Sequence, residues 1–224
     1  MRKIDIAVVD YGMGNLRSVS KALEHVAPSK SVLVTSNPED ILNAERVVFP
    51  GQGAMPDCIR EMDARGLRNA VMNAAQNKPF LGICIGLQML FEESEEGNVA
   101  GLGLFKGKVK RFAAADMKDI HGDKLKVPHM GWNQVYQAKN RQSQSNQQQS
   151  HPLWQGIEDG ARFYYVHSYY IQADDASITA GYTEYPQKFT SAIANNNLFA
   201  VQFHPEKSAS AGLQLLSNFV NWVP

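Results

Sequence analysis

Apolar positions in the first part of the chain fall into two alternating rhythms. "IDIAVVD" (residues 4–10) is a nearly continuous apolar run rich in branched side chains, closed by the turn-like "YGMGN". Such a run predicts a strand buried on both faces. Leu16, Val19, Ala22, Leu23 and Val26 then recur at helical spacing, which predicts a helix with one apolar face. "SVLVT" (31–35) predicts a second strand. After it, Asn37 is a candidate N-cap, Pro38 takes the first helical position, and acids follow in the first turn. "RVVFP" (46–50) predicts a third strand and runs into the glycine-rich "GQGA". "MPDCIREMDARGLRNAVMNAAQ" (55–76) is helical in character, with a break near Gly66. "PFLGI" (79–83) predicts a fourth strand, running into a glycine-flanked cysteine and then a helix. Strands and helices that alternate in this way predict an α/β fold with a parallel, doubly wound sheet.

The second half changes style. Residues 107–112, 133–137, 162–171, 177–184, 189–195 and 198–204 are short strand candidates separated by turns, so antiparallel or mixed pairing is expected there. "SASAGLQLLSNFVNWV" (208–223) predicts a closing helix with Leu213, Leu216, Phe219 and Val220 on its apolar face. Between these elements, residues 137–152 are rich in Gln, Ser and Asn and have nothing to bury. They read as an exposed loop within one domain that spans residues 1–224.

Gly82-Ile83-Cys84-Ile85-Gly86 has the pattern glycine–x–nucleophile–x–glycine at a strand-to-helix corner, with Cys in the nucleophile position. The corner pushes the thiol out at the carboxyl end of the strand. The N–H groups and the positive end of the following helix favour thiolate over thiol, and the Ile85 N–H faces a developing oxyanion. Cys58, in "PDCIREM", has no such setting and reads as a small buried residue. A thiolate nucleophile needs a base, and the base needs an orienting group. "FAVQFHPEK" supplies both: a strand ends at His204, and Glu206 follows at i+2, on the same side of an extended backbone. In "FPGQGA", Gly51 and Gly53 allow close backbone approach beside the fourth strand, which makes this loop the second half of an oxyanion hole.

Composition narrows the field. Lys+Arg and Asp+Glu both number 22, so the formal net charge is zero. A dominant basic field for nucleic acid is therefore missing. Two cysteines cannot build a disulfide framework or a four-cysteine metal site. No stretch approaches the roughly 18 apolar residues that would span a membrane. A cytoplasmic compartment is expected, with neither nucleic acid nor membrane as partner. The sequence also lacks a phosphate-binding loop: there is no G-K-[ST], and "YGMGN" lacks the third glycine of a dinucleotide fingerprint.

"PGQGA", "GICIGLQML" and "VQFHPEKS", in that order, resemble the class I (triad-type) glutamine amidotransferase family. "DYGMGNLRSV" (10–19), "VPHMGWN" (127–133) and "YYVHSYY" (164–170) further resemble the glutaminase subunits of imidazole glycerol phosphate synthases. The resemblance implies a three-layer, flavodoxin-like fold and a Cys84–His204–Glu206 triad that hydrolyses L-glutamine through a Cys thioester. Gln52, Gly53 and Ile85 would form the oxyanion hole, and Gly51, Gln88, His167, Ser168 and Tyr169 would bind glutamine. No cofactor and no metal are implied. Ammonia would pass to a separate (βα)₈-barrel cyclase subunit through an interface that includes Asn15, Pro128, His129, Met130, Gly131, Trp132 and Lys207. On sequence alone Trp132 reads equally as an interface anchor or a core residue. Gln52 stands where many members of the wider family have glycine. Its peptide is expected to rest with the N–H turned away, so that basal activity is low until the cyclase and its ligand flip it. Two alternatives stay open. One is another triad amidotransferase or a γ-glutamyl hydrolase, which would share the triad without "YGMGN" and "PHMGW". The other is a regulatory domain that only binds a partner.

Overall fold

The computed structural model describes residues 3–113, 117–118, 122–139 and 150–224. His121 and most of the Gln-rich segment, residues 140–149, lie outside them.

The first half follows the predicted alternation. β1 (Ile6–Val9), β2 (Val32–Thr35), β3 (Arg46–Gly51) and β4 (Phe80–Cys84) pair in parallel, in the order β2-β1-β3-β4. β1, β3 and β4 are buried almost throughout, as their apolar runs require. Between them run α1 (Leu16–Val26), α2 (Pro38–Asn43), α3 (Met55–Ala64) and α4 (Arg68–Asn77). Asn15 caps α1 by accepting from Ser18 N–H, and Asn37 caps α2 by accepting from Glu39 N–H. The break between α3 and α4 falls at Gly66, whose φ of +67° suits glycine.

After β4 the helix is shorter than expected. α5 (Ile85–Gln88) is a single turn, and the chain turns at once into β5 (Phe91–Ser94) and β6 (Val99–Ala100), neither of which was anticipated. Leu87, Met89, Leu90 and Phe91 are all fully buried. With no polar face to offer solvent, this segment threads the core instead of lying on it.

The remaining strands are β7 (Phe105–Arg111), β8 (His129–Gln134), β9 (Tyr136–Gln137), β10 (Arg162–His167), β11 (Tyr169–Ala173), β12 (Thr179–Glu184), β13 (Lys188–Asn195) and β14 (Leu198–Val201), followed by α6 (Ala209–Asn221). Among the described residues the main sheet runs β2-β1-β3-β4-β14-β13-β11-β7-β5-β6, with β12 paired to β13 and β9 paired to β12. β14 pairs with β4 in parallel, and β13 pairs with β14 antiparallel, so the sheet becomes mixed where the sequence changes style.

Two strand candidates are divided. Residues 162–171 split at Ser168: β10 pairs with β8 in a separate two-stranded sheet, whereas β11 joins the main sheet. Residues 133–137 split at the buried Val135 into β8 and β9. In α6 the buried face is Leu215, Leu216, Phe219 and Val220, while Leu213 is only partly covered. No helix among the described residues is long and apolar enough to cross a membrane.

Candidate active site

Cys84 is the last residue of β4 and the cap of α5, at φ +55° and ψ −109°. A left-handed φ in a non-glycine residue costs on the order of 1–3 kcal/mol and persists only where its surroundings enforce it. Gly86 explains part of that enforcement: a Cβ there would lie 1.9 Å from the Phe49 carbonyl oxygen. The glycine therefore allows α5 to press onto β3. The expected helix-end field under the thiol reduces to this one turn.

Gly51 pairs with Cys84 in the sheet register, so β3 carries the glycine loop to the cysteine. A Cβ on Gly51 would meet Tyr11 Oη at 2.4 Å and Ile85 Cβ at 2.7 Å. Beneath the loop, Tyr11 Oη donates to the Pro50 carbonyl at 2.9 Å, and the Cys58 thiol donates to the Gln52 carbonyl at 3.6 Å. Burial pushes the Cys58 thiol up to about 11, against the pull of Tyr11, so it remains a donor. Cys58 is thus buried, as its sequence context suggested, but it also holds the loop. A trans peptide directs its N–H opposite to its C=O, so the Gly53 N–H is turned away from Cys58.

His204 and Glu206 meet as expected, Nδ1 to Oε1 at 2.9 Å, but by a different route. β14 already ends at Val201, and Pro205–Lys207 forms a 3-10 turn capped by His204. A turn, not strand alternation, brings Glu206 back under the imidazole. Burial opposes the charged ring, but the Cys84 sulfur and the Glu206 carboxylate outweigh it and push the imidazole up to about 10. His204 Nε2 and Glu206 Oε2 are buried without a hydrogen-bond partner.

These groups open onto a cavity of about 280 Å³, near the lower end of the roughly 300–1,000 Å³ usual for ligand pockets. It is lined by Cys84, Ile85 and His204, by Gln52 and Gly53, and by Gln88. The break at Ser168 brings in His167, Ser168 and Tyr169. Gly51 does not line it and instead backs the loop. Pro128, expected at a partner surface, lines this cavity too.

Gln88 is buried. Its Nε2 donates to the Tyr169 carbonyl and to Gln202 Oε1, each at 3.0 Å, and its Oε1 has no partner. The sequence reading missed two side chains. Gln202 is fully buried, with Nε2 3.7 Å from Cys84 Sγ. Glu96 lines the cavity and accepts from Met55 N–H at 2.8 Å, at the start of α3. Burial raises the Glu96 carboxyl, partly offset by that N–H. The spacing of "QFH" marked Gln202 as a near neighbour of His204, whereas nothing local marked Glu96.

The "PHMGW" block divides between inside and outside. His129 is only 3% exposed and stacks between Tyr165 and Tyr185, so its side chain does not face a partner. Met130 and Trp132 are 62% and 50% exposed, which removes the core reading of Trp132. Gly131 lies between them on β8. Trp132 meets Tyr164 edge-on, and Lys207 Nζ lies 6.0 Å from the Tyr164 ring centre. α1, capped by Asn15, packs against the Pro205–Lys207 turn.

A cysteine corner, a His–Glu pair and a glycine loop around one small cavity in this fold define a class. The chain belongs to the class-I glutamine amidotransferase family, whose sequence model matches residues 7–222. Within that family it groups with the imidazole glycerol phosphate synthase subunits HisH. The HisH subunit of Nitrosospira multiformis is 64% identical over 220 residues, covering 98% of this chain and 99% of that protein. That of Thiobacillus denitrificans is 62% identical over 221 residues, covering 99% and 92%. Among solved structures, a glutamine amidotransferase from Thermotoga maritima matches with a TM-score of 0.56 at 13% identity, covering 92% of this chain and 77% of that one. A likeness at that identity concerns the fold alone.

Proposed function

We propose that this chain, acting as a single cytoplasmic domain, is a glutaminase subunit that hydrolyses L-glutamine and delivers ammonia to a (βα)₈-barrel cyclase subunit. Cys84 attacks the side-chain amide carbon as a thiolate, and His204 holds the proton. The oxyanion is received by the Ile85 N–H and by N–H groups of the Gln52–Gly53 loop. As the tetrahedral species collapses, His204 protonates the departing amine, and ammonia leaves. Water then adds to the thioester with His204 as base, the C–S bond breaks, and glutamate is released. Glu206 keeps the imidazole oriented throughout. Gln88 Oε1, which lacks a partner, accepts from the substrate, and the Glu96 carboxylate receives its α-ammonium. The Ser168–Tyr169 backbone holds the α-carboxylate end. The exposed Met130–Trp132 surface, with Lys207 and Asn15 nearby, meets the cyclase.

The observation that carries this reading is the convergence of Cys84, the Glu206-paired His204 and the half-satisfied Gln88 on one cavity of amino-acid size. The test is glutamine hydrolysis by the chain alone, with a barrel cyclase, and with cyclase plus its nucleotide ligand. The expected result is weak turnover alone and strong stimulation in the last case. Full activity without any partner refutes the partner-dependent part. No activity under any condition, with Cys84 unmodified by a glutamine-mimicking electrophile, refutes the whole.

A further inference from the structure

Gln202 sits two residues before His204, is fully buried, and reaches across from β14 to the sulfur at the end of β4. The orientation of its amide is fixed by its neighbour. Gln88 Nε2 has two hydrogens and two acceptors, the Tyr169 carbonyl and Gln202 Oε1. Gln202 Oε1 is therefore the accepting end, and its Nε2, a donor, is the end that faces Cys84 Sγ at 3.7 Å. The same geometry turns Gln88 Oε1 away, without a partner, on a residue that lines the cavity. Substrate cavity, Gln88, Gln202 and sulfur thus form one line of polar contacts.

We propose that Gln202 is a further catalytic residue: its side-chain N–H donates to the Cys84 sulfur and holds it as thiolate, and Gln88 sets the orientation of that amide. The proposal rests on the glutaminase reading, in which a thiolate is the nucleophile. A hydrogen bond to sulfur strengthens when the sulfur is anionic. It therefore acts at both ends of the cycle. Before attack it holds the electron pair that will form the C–S bond. During thioester hydrolysis, water adds to the carbonyl carbon, its proton goes to His204, and the C–S bond breaks. The bonding pair returns to sulfur, where the Gln202 N–H receives it. The other titratable groups around the sulfur are His204 with Glu206 behind it, Glu96, His167 and Tyr169 in the cavity wall, and Cys58 and Tyr11 beneath β3. All of them are kept in the variants below.

The experiment is alkylation of Cys84 by iodoacetamide over a pH series, read at the Cys84 peptide by mass spectrometry, in wild type, Gln202→Met and Gln202→Glu. Gln202→Met keeps the chain length and removes the donor. Its alkylation rate at neutral pH is expected to fall about tenfold, the scale of one hydrogen bond to a charged group, with the profile displaced to higher pH. Gln202→Glu replaces the donor by an acceptor and is expected to displace it further. In steady-state turnover kcat falls and KM changes little. Profiles that superimpose on wild type in either folded variant, even with reduced turnover, overturn the proposal, because a packing role does not move them. A measurement on wild type covers variants that fail to fold. The Gln202 side-chain amide proton, followed by NMR, is expected to titrate with the alkylation midpoint and to lose that step in Cys84→Ser. An unmoved amide signal overturns the proposal. Absence of glutaminase activity in wild type would instead refute the functional reading and leave the alkylation result standing.

Discussion

Acid should unfold this protein through three histidines that are held neutral in the fold, His129 and His167 buried and His151 half-buried. Burial pushes His129 down to about 4, His151 to about 4 and His167 to about 3. In the unfolded chain each titrates near 6.5. As pH falls below 6.5 the unfolded state therefore takes up protons that the folded state refuses. The stability these residues contribute is present above 6.5 and drains away toward 4. Each contributes a slope of about 1.4 kcal/mol per pH unit, so three give about 4 kcal/mol per unit near pH 5. Between pH 7 and pH 5 the loss comes to about 5 kcal/mol, a large part of the 5–15 kcal/mol typical of a folded domain. His204 offsets little of it. Its folded value is raised, so its contribution is complete below 6.5 and is lost only as pH rises. The assay is urea unfolding followed by tryptophan fluorescence at pH 7, 6 and 5. His151→Asn supplies the control: His151 Nδ1 caps a 3-10 turn by accepting from Leu153 N–H, and Asn also serves as a cap. The variant should lose about a third of the slope. A free energy of unfolding that is flat from pH 7 to 5, or a slope unchanged by His151→Asn, refutes the reasoning.

Three further outcomes are expected. Gly51→Ala forces a Cβ to within 2.4 Å of Tyr11 Oη and 2.7 Å of Ile85 Cβ. It should cost about 1–3 kcal/mol of stability and displace the loop beside Cys84, with glutaminase activity falling further than the melting temperature explains. Glu96→Gln keeps an acceptor for Met55 N–H but removes the charge, so KM for glutamine should rise about tenfold with kcat nearly unchanged; an unchanged KM removes Glu96 from substrate binding. Trp132→Ala, at a half-exposed site, should leave the melting temperature within a degree or two. It should weaken cyclase binding by about 2 kcal/mol, roughly thirtyfold, by calorimetry; unaltered binding moves the interface elsewhere.

The cysteine corner and the His204–Glu206 pair, to which we assign the roles of nucleophile, base and orienting carboxylate, were legible because each announces itself locally: paired glycines around Cys84, and a histidine–proline–glutamate sequence just after a strand. The parallel half of the sheet was legible for a similar reason, since its strands are continuous apolar runs alternating with helices, the first two of them capped by asparagine. What escaped was decided at a distance. The division at Ser168 leaves no trace in "RFYYVHSYYI", because both halves are strand-forming and only their partners, β8 and β7, differ. α5 stops after one turn because the core closes around it, a tertiary effect that helical spacing cannot report. Glu96 reaches the cavity by way of β5, and Gln202 faces a sulfur 118 positions away.

The neutrality of the buried histidines also has a cause beyond burial, and it concerns the site. Tyr169 O can only accept, so His167 Nδ1, 2.7 Å away, must carry a hydrogen. His167 Nε2 is then an acceptor and takes the hydrogen of His129 Nδ1 at 2.9 Å. His129 Nε2 in turn accepts from Asn133 Nδ2, whose other hydrogen goes to the Glu184 carbonyl. Every donor is matched to an acceptor from β8 to Tyr169 O, the same carbonyl that receives Gln88. A proton added to either imidazole would turn an acceptor into a donor facing another donor, in a buried site where that is costly. The chain is therefore consistent only when both rings are neutral. In that state it fixes the backbone at Tyr169, and through Gln88 the Gln202 amide that faces Cys84. Acid that protonates this pair is thus expected to disorder the cavity wall at Tyr169 and Gln88 along with the fold.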